Sequence, residues 1–301
     1  MAALAALSGD EQLVIFVQLC NVLDPGVAVA FSSTNSELWE LTQAPRHQLQ
    51  ADHEAAAALG RKAGKRSCKE LREAKVVELY RTLLSSDELA LLGTLGSVLS
   101  ALERLYLTEP AAGPDGVPRL AEKLGAGALP AVMSLNLNNS HVGDAGASAL
   151  AAALGRGALP RLKTLCLANT AIGDAGLVAL APALRRLPAL EYLYLQSNPF
   201  GDEGLAALVA PPPPSEGTPP PAAGGLKKLR VLSLRFTQVS DAGCAALTAA
   251  LDSGALPALE GLELEGSPAC AAARRAVRAA VARSRGAARF VPSEDTGSWP
   301  D

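Results

Sequence analysis

The 301 residues include only three histidines, none of them near a cysteine in sequence. There is no HExxH and no GxSxG, so the spacings that place a zinc-bound water or a nucleophilic serine are missing. Residues 60–66, GRKAGKR, only approach a phosphate-binding loop. They have three residues between the glycines in place of four, Arg66 where a magnesium-binding hydroxyl belongs, and no strand in front. The expectation is a non-enzymatic protein with no catalytic residue, cofactor or metal. A basic excess is also absent. The net charge is −3 and the pI about 5.7, so neither nucleic acid nor an anionic membrane is attracted in bulk. No run of 18 apolar residues exists to span a bilayer. The N-terminus, MAALAALSGDEQ, has no basic region and meets acid at Asp10 and Glu11, which argues against a secretory signal. The five cysteines, Cys20, Cys68, Cys166, Cys244 and Cys270, are odd in number and form no CxxC. They read as reduced thiols of a cytoplasmic or nuclear protein.

What the chain does have is a repeat. In residues 161–184, RLKTLCLANTAIGDAGLVALAPAL, Leu162, Leu165 and Leu167 give LxxLxL. Leu165 and Leu167 alternate with Thr164, Cys166 and Ala168, the period of a strand with one buried face. Leu177, Leu180 and Leu184 then fall three and four apart, as on one helix face. The pair Leu165/Leu167 recurs as Leu105/Leu107, Leu135/Leu137, Leu193/Leu195, Leu232/Leu234 and Leu262/Leu264. Successive copies are 30, 30, 28, 39 and 30 residues apart, the period of a stacked solenoid. The loop after the strand reads HVGDAG, AIGDAG, PFGDEG and QVSDAG in four copies. Its aspartates, Asp144, Asp174, Asp202 and Asp241, occur once per repeat just before a helix, where each reads as an N-cap.

On these residues, 99 to about 285 resemble the ribonuclease-inhibitor type of leucine-rich repeat. The resemblance implies an α/β horseshoe with a parallel sheet on the concave face and helices outside. The family often places Asn or Cys after the strand. That column here is Pro110, Ser140, Thr170, Asn198, Thr237 and Ser267, whose hydroxyls could cap loop amides.

Residues 1–84 read as a small all-α domain. Leu13, Phe16, Leu19 and Leu23 make an apolar face, Asp24-Pro25-Gly26 is a turn, and Pro45 punctuates the third segment. Residues 67–84 continue as helix, with Leu71, Leu79 and Leu83 on one side, and His47 and His53 read as surface residues. Residues 7–58 also resemble an F-box, through IFxxL from Ile15 to Leu19 and LDP from Leu23 to Pro25, although the usual Leu-Pro at its start is missing. That resemblance implies contact with a cullin-ligase adaptor through Phe16, Leu19, Leu23 and Pro25. A plain cap on the solenoid explains the same residues.

Residues 85–98 read as a connector and 99–268 as six repeats. A proline-rich insertion, residues 210–225, breaks the helix of the fourth repeat. A capping helix with six arginines and no acid follows over 269–290, then a loose tail over 291–301.

Residues between the strand leucines must face the open side of the sheet. Those expected to bind a partner are Arg104, Tyr106, Asn136, Asn138, Tyr192, Tyr194, Gln196, Arg235, Glu263 and Glu265. Three of the four tyrosines are among them, and tyrosine and arginine favour interface centres. Six strands give a sheet about 25 Å by 10 Å, well short of the roughly 800 Å² of a standard interface, so loops must add area. Asn139, His141, Pro199 and Phe236 stand at the strand ends to do so.

The expected function is protein binding on the concave face. With an F-box it would be substrate recognition for a cullin-type ubiquitin ligase. Two alternatives stay open: a GTPase regulator of the Ran GTPase-activating type, which carries the same repeats, and a scaffold.

Overall fold

The computed structural model describes residues 7–34, 36–80, 82–107, 113–209 and 226–284. The expectations for Pro110, the proline-rich insertion and the 291–301 tail lie outside the described residues.

Five helices come first: α1 (Gly9–Leu19), α2 (Gly26–Ser32), α3 (Ser36–Leu41), α4 (Gln43–Lys62) and α5 (Cys68–Glu73). Strand and helix then alternate: β1 (Val76–Glu78), α6 (Ser86–Thr94), β2 (Arg104–Tyr106), α7 (Gly116–Lys123), β3 (Ser134–Asn136), α8 (Gly143–Gly155) and β4 (Thr164–Cys166). The alternation ends with α9 (Asp174–Arg186), β5 (Tyr192–Tyr194), α10 (Asp202–Val209), β6 (Val231–Ser233), α11 (Asp241–Asp252), β7 (Gly261–Glu263) and α12 (Ala271–Ser284). The strands form one parallel sheet in sequence order, and each helix from α6 to α12 packs on its neighbours in the chain.

Seven strands, not six, make the sheet. The helix expected over 67–84 stops at Glu73, and Val76–Glu78 pairs in parallel with β2. The connector expected over 85–98 holds α6. With β1 it forms a complete first repeat, so the solenoid begins inside the segment read as helical domain. The sequence concealed it because Val77 and Leu79 stand where the later copies have Leu-x-Leu.

Register is the same at every step. Val77, Leu105, Leu135, Leu165, Leu193, Leu232 and Leu262 lie side by side across the sheet. From Val77 to Leu232 they are at most 2% exposed, and the core they share with the helix leucines is continuous from Leu23 to Val281. Each such burial contributes about 1.5–3 kcal/mol. In the column after the strands Ser140, Thr170, Asn198 and Thr237 are buried as well. Thr170, Thr237 and Ser267 donate their hydroxyls to the carbonyls of Leu167, Leu234 and Leu264 at 2.7–2.8 Å, and Ser140 reaches the carbonyl of Leu107 in the preceding repeat at 2.8 Å. They therefore satisfy carbonyls, not the amides expected. Asn198 serves both: Oδ1 accepts from the amides of Thr170 (3.1 Å) and Ile172 (3.0 Å), while Nδ2 donates to the carbonyls of Leu167 (2.6 Å) and Leu195 (2.9 Å).

The aspartates do not cap their own helices. Asp144 Oδ1 accepts from Gly173 N (2.7 Å) and Gly176 N (3.0 Å), one repeat further on. Asp174 does the same for Gly201 N (2.8 Å) and Gly204 N (2.7 Å), and Asp202 for Ser240 N (2.8 Å). Asp241 takes Cys270 N at 2.6 Å. The following repeat keeps a glycine at the point of contact. A Cβ on Gly176 would stand 2.5 Å from Asp144 Oδ1, and one on Gly204 2.9 Å from Asp174 Oδ1. Helix α6 has no such predecessor and closes its own end with a Ser85–Glu88 capping box.

In the N-terminal helices Phe16, Ala28 and Leu49 form a small separate core, while Leu23 joins the main one. Pro45 does not end a segment; it sits in the first turn of α4, where its missing N–H costs nothing. His53 is half-buried, with Nδ1 2.6 Å from the carbonyl of Val22, and so is not the surface residue expected.

Candidate functional site

The short strands put alternate side chains on the face opposite the helices. One row across it runs Glu78, Tyr106, Asn136, Cys166, Tyr194, Ser233, Glu263. A second runs Val76, Arg104, Ser134, Thr164, Tyr192, Val231, Gly261. The expected site residues on the strands therefore do share one face. Tyr106, Asn136, Asn138, Tyr192, Tyr194, Gln196, Arg235, Glu263 and Glu265 are half-buried there, and Arg104 is exposed.

Several are already engaged. Asn136 Oδ1 accepts from Asn138 N (2.9 Å), and Asn138 Oδ1 from Ala168 N (2.8 Å). Ser233 Oγ donates to Glu263 Oε2 at 2.7 Å, and Arg278 holds Glu265 at 2.7 Å. The acidic end is thus partly neutralised from α12. Arg235 lies 4.0 Å from Glu265 and sets its guanidinium 5.6 Å from the ring of Phe236. The centre of the face is left to Tyr192, Tyr194 and Cys166.

Sequence reasoning missed the first strand's contribution. Tyr80, in the segment read as helix, is 45% exposed, and its ring centroid is 5.6 Å from that of Tyr106. All four tyrosines therefore lie on or beside the sheet, two at its start and two at its centre. A shallow pocket beside the first pair is lined by Ala63, Lys65, Val76, Glu78, Arg104 and Tyr106. The signal was the alternation of Val77 and Leu79 about Glu78, hidden by a helical reading of the leucines around it.

The face is poor in reactive groups. Burial pushes the Cys166 thiol up to about 12, so it stays protonated and unreactive. Burial, then Cys166, Glu263 and Tyr192, raise the Tyr194 hydroxyl as well. None of the five cysteines is in a disulfide. Among the described residues no cluster of His, Cys, Asp and Glu could hold a metal, and no helix is long and apolar enough to cross a membrane.

The expected adaptor residues fare differently. Phe16 is fully buried and Leu23 is 4% exposed, so both are core, and neither presents a surface. Leu19 and Pro25 are half-buried. Amphipathic spacing marked the apolar face of α1 but could not say that α2 and α4 already cover it.

Four segments, residues 131–151, 159–181, 187–209 and 225–247, match the leucine-rich repeat family model. No curated protein sequence matches the chain. Similar solved structures include the actin-binding site 2 of leiomodin-1, at 12% identity and a TM-score of 0.33 over 77% of this chain and 88% of that one. An internalin from Listeria monocytogenes is similar at 15% identity and a TM-score of 0.35, over 67% of this chain and 51% of its own. Repeating strand leucines, one parallel sheet in sequence order with a helix behind each strand, and the four matched segments make this fold a leucine-rich repeat solenoid.

Proposed function

We propose that this chain is a non-enzymatic module that binds a protein partner on the open face of its sheet. The observation that carries the reading is the row from Glu78 to Glu263, at least partly exposed at every position but Ser233, with Tyr106 near its start and Tyr194 at its centre. Rigid amphipathic rings give contact area at low entropic cost, and the face offers no nucleophile–base pair to do chemistry. Arg104, Tyr106, Tyr192, Tyr194, Gln196 and Arg235 supply the contact, with the NH2 groups of Asn136 and Asn138 and the carboxylates of Glu263 and Glu265 at its edges.

Affinity capture from native lysate with the wild type beside Tyr192→Ala/Tyr194→Ala tests it. A partner held by the wild type and lost by a variant of unchanged circular dichroism supports the reading. An unchanged set of partners overturns it.

The finer role, substrate recognition for a cullin-type ligase, requires a purified cullin adaptor to bind α1–α4. With Phe16 and Leu23 buried, that contact would fall to exposed side chains of these helices, and failure to bind in a direct titration removes the role. The Ran GTPase-activating role needs a water-positioning group in a loop, and no residue on these loops stands out for it. A scaffold role remains for a module that binds two partners at once.

A further inference from the structure

Ten large apolar side chains are exposed among the described residues, and six fall between Val14 and Leu41. They are Val14 and Val17 on α1, Val27 and Val29 on α2, and Trp39 and Leu41 on α3, each at least 41% exposed. Among the described residues from β2 to α12 only Val178 and Phe236 are comparable. Val14 and Val17 stand one turn apart on the side of α1 away from buried Gln12 and Phe16. Helix α1 packs on both α2 and α3, so one small unit presents all six. Val27 and Val29 flank buried Ala28 on opposite sides of α2, and Trp39 and Leu41 flank buried Leu38 on α3, so the pair that one partner helix can cover together is Val14 and Val17, with Asp10 one turn before them on the same side of α1.

Charge indicates what covers it. Lys and Arg are absent before Arg46, while Asp10, Glu11, Asp24, Glu37 and Glu40 stand in these helices and the turn between them. Arg46 is taken up locally: its guanidinium lies 3.2 Å from the centre of the Trp39 ring and donates to the Trp39 carbonyl at 2.6 Å. Arg72 reaches Asp24 at 3.4 Å. Two copies of this face set together would oppose carboxylates to carboxylates, so the occupant is cationic. The chain carries such a surface at its other end. Helix α12 has Arg274, Arg275, Arg278 and Arg283 and no acid. Arg278 and Arg283 bind Glu265 and Asp252, while Arg275 is exposed on a strip of small residues, Ala272, Ala276 and Ala279.

We propose that the acidic apolar side of α1 docks on α12 of a second copy, joining chains head to tail. Val14 and Val17 lie on the alanine strip, and Asp10 and the carboxylates around it meet Arg275 and its neighbours. Such a contact is heterologous and leaves one free face at each end, so it extends into open chains. A contact between two single helices through so few side chains is weak, formed at about tens of micromolar or above.

Sedimentation velocity of the full chain from about 5 to 200 µM tests it, at about 50 mM and 500 mM salt. At low salt the mean mass grows past a dimer with concentration, and the apparent affinity falls about tenfold at high salt. Val14→Ser/Val17→Ser removes the donor face, and Arg275→Glu/Ala279→Glu removes the acceptor face. All four positions are exposed, and circular dichroism checks each variant. Each variant alone stays monomeric. Mixed in equal amounts they form a dimer that grows no further, because the mixture contains one intact pair of faces. A wild type that is monomeric throughout the range overturns the proposal, as does a closed dimer or growth that survives the Arg275→Glu/Ala279→Glu change.

Discussion

The pairing of Asp174 with Gly204 gives the sharpest prediction. Asp174 Oδ1 accepts two amides of the next repeat, Gly201 N at 2.8 Å and Gly204 N at 2.7 Å. A hydrogen bond to a charged acceptor contributes about 1.5 kcal/mol or more, so Asp174→Ala loses about 3 kcal/mol and leaves two helix-end amides bare. Gly204→Ala gains about 1 kcal/mol of helix propensity. Its Cβ, however, would stand 2.9 Å from Asp174 Oδ1 and 3.2 Å from Leu177 Cβ, which displaces the carboxylate. Breaking one of the two bonds outweighs the propensity, and the single variant loses about 1–2 kcal/mol. Once Asp174 is alanine the shortest contact is gone and only the Leu177 contact at 3.2 Å remains, so Gly204→Ala becomes neutral or stabilising by up to about 1 kcal/mol. The double-mutant cycle therefore carries about 2 kcal/mol of coupling with a change of sign. Urea denaturation followed by far-UV circular dichroism measures all four corners. Additive effects, or an Asp174→Ala loss below about 0.5 kcal/mol, would show that the carboxylate does not fasten the repeats.

Asn198→Ala removes a buried amide that serves two repeats and should cost about 3–5 kcal/mol, whereas Asn169→Ala, an exposed amide whose loss leaves alanine in a left-handed backbone, should cost only about 1; comparable losses at the two sites would contradict this. Phe236 holds a left-handed backbone, φ +54°, at a position occupied by Asn139 and Asn169 in other repeats, with its ring 58% exposed. Phe236→Asn should therefore stabilise the fold by about 1 kcal/mol, and a lower melting temperature would refute the assignment of strain. The amide of Cys270 holds the Asp241 carboxyl below the ordinary aspartate value. A depressed folded value means that its contribution is present above pH about 4 and is lost as pH falls through that depressed value. Asp241→Asn should flatten the acid limb of the melting-temperature profile below about pH 4 and leave its neutral region parallel to wild type.

The strand leucines were legible because each copy repeats the period-two pattern beside a period-3.6 one, and the register of the sheet follows from equal spacing. The aspartates were visible but assigned to the wrong helix. An N-cap is normally sought within one helix, whereas these carboxylates reach forward by a whole period, a relation that appears only when repeats are stacked. The first repeat was not legible because Val77 and Leu79 lack the doublet of leucines and no GDAG loop follows them. On the open face, alternation alone located Tyr106, Tyr192, Tyr194 and Arg235, but not Tyr80. It could not show that the asparagine oxygens and Glu265 already have partners. Phe16 and Leu23 illustrate the converse: spacing identifies an apolar face without saying whether another helix is already packed on it. Phe236 did leave a trace, as the one aromatic in a column that elsewhere among the described residues holds Asn139, Asn169, Ser197 and Gly266.

The forward reach of the aspartates gives the solenoid a direction. Asp144, Asp174 and Asp202 each complete the helix that comes after, never the one before. A chain leaving the ribosome makes each acceptor before the amides that need it, so every new repeat meets a finished template as it emerges. Loss is asymmetric in the same sense. Peeling a repeat from the C-terminal end leaves behind only an idle carboxylate, whereas melting one near the N-terminal end strips the next helix of its closure. Truncation from the two ends should then give stepwise loss from one side and a cascade from the other, in an array whose repeats look nearly alike.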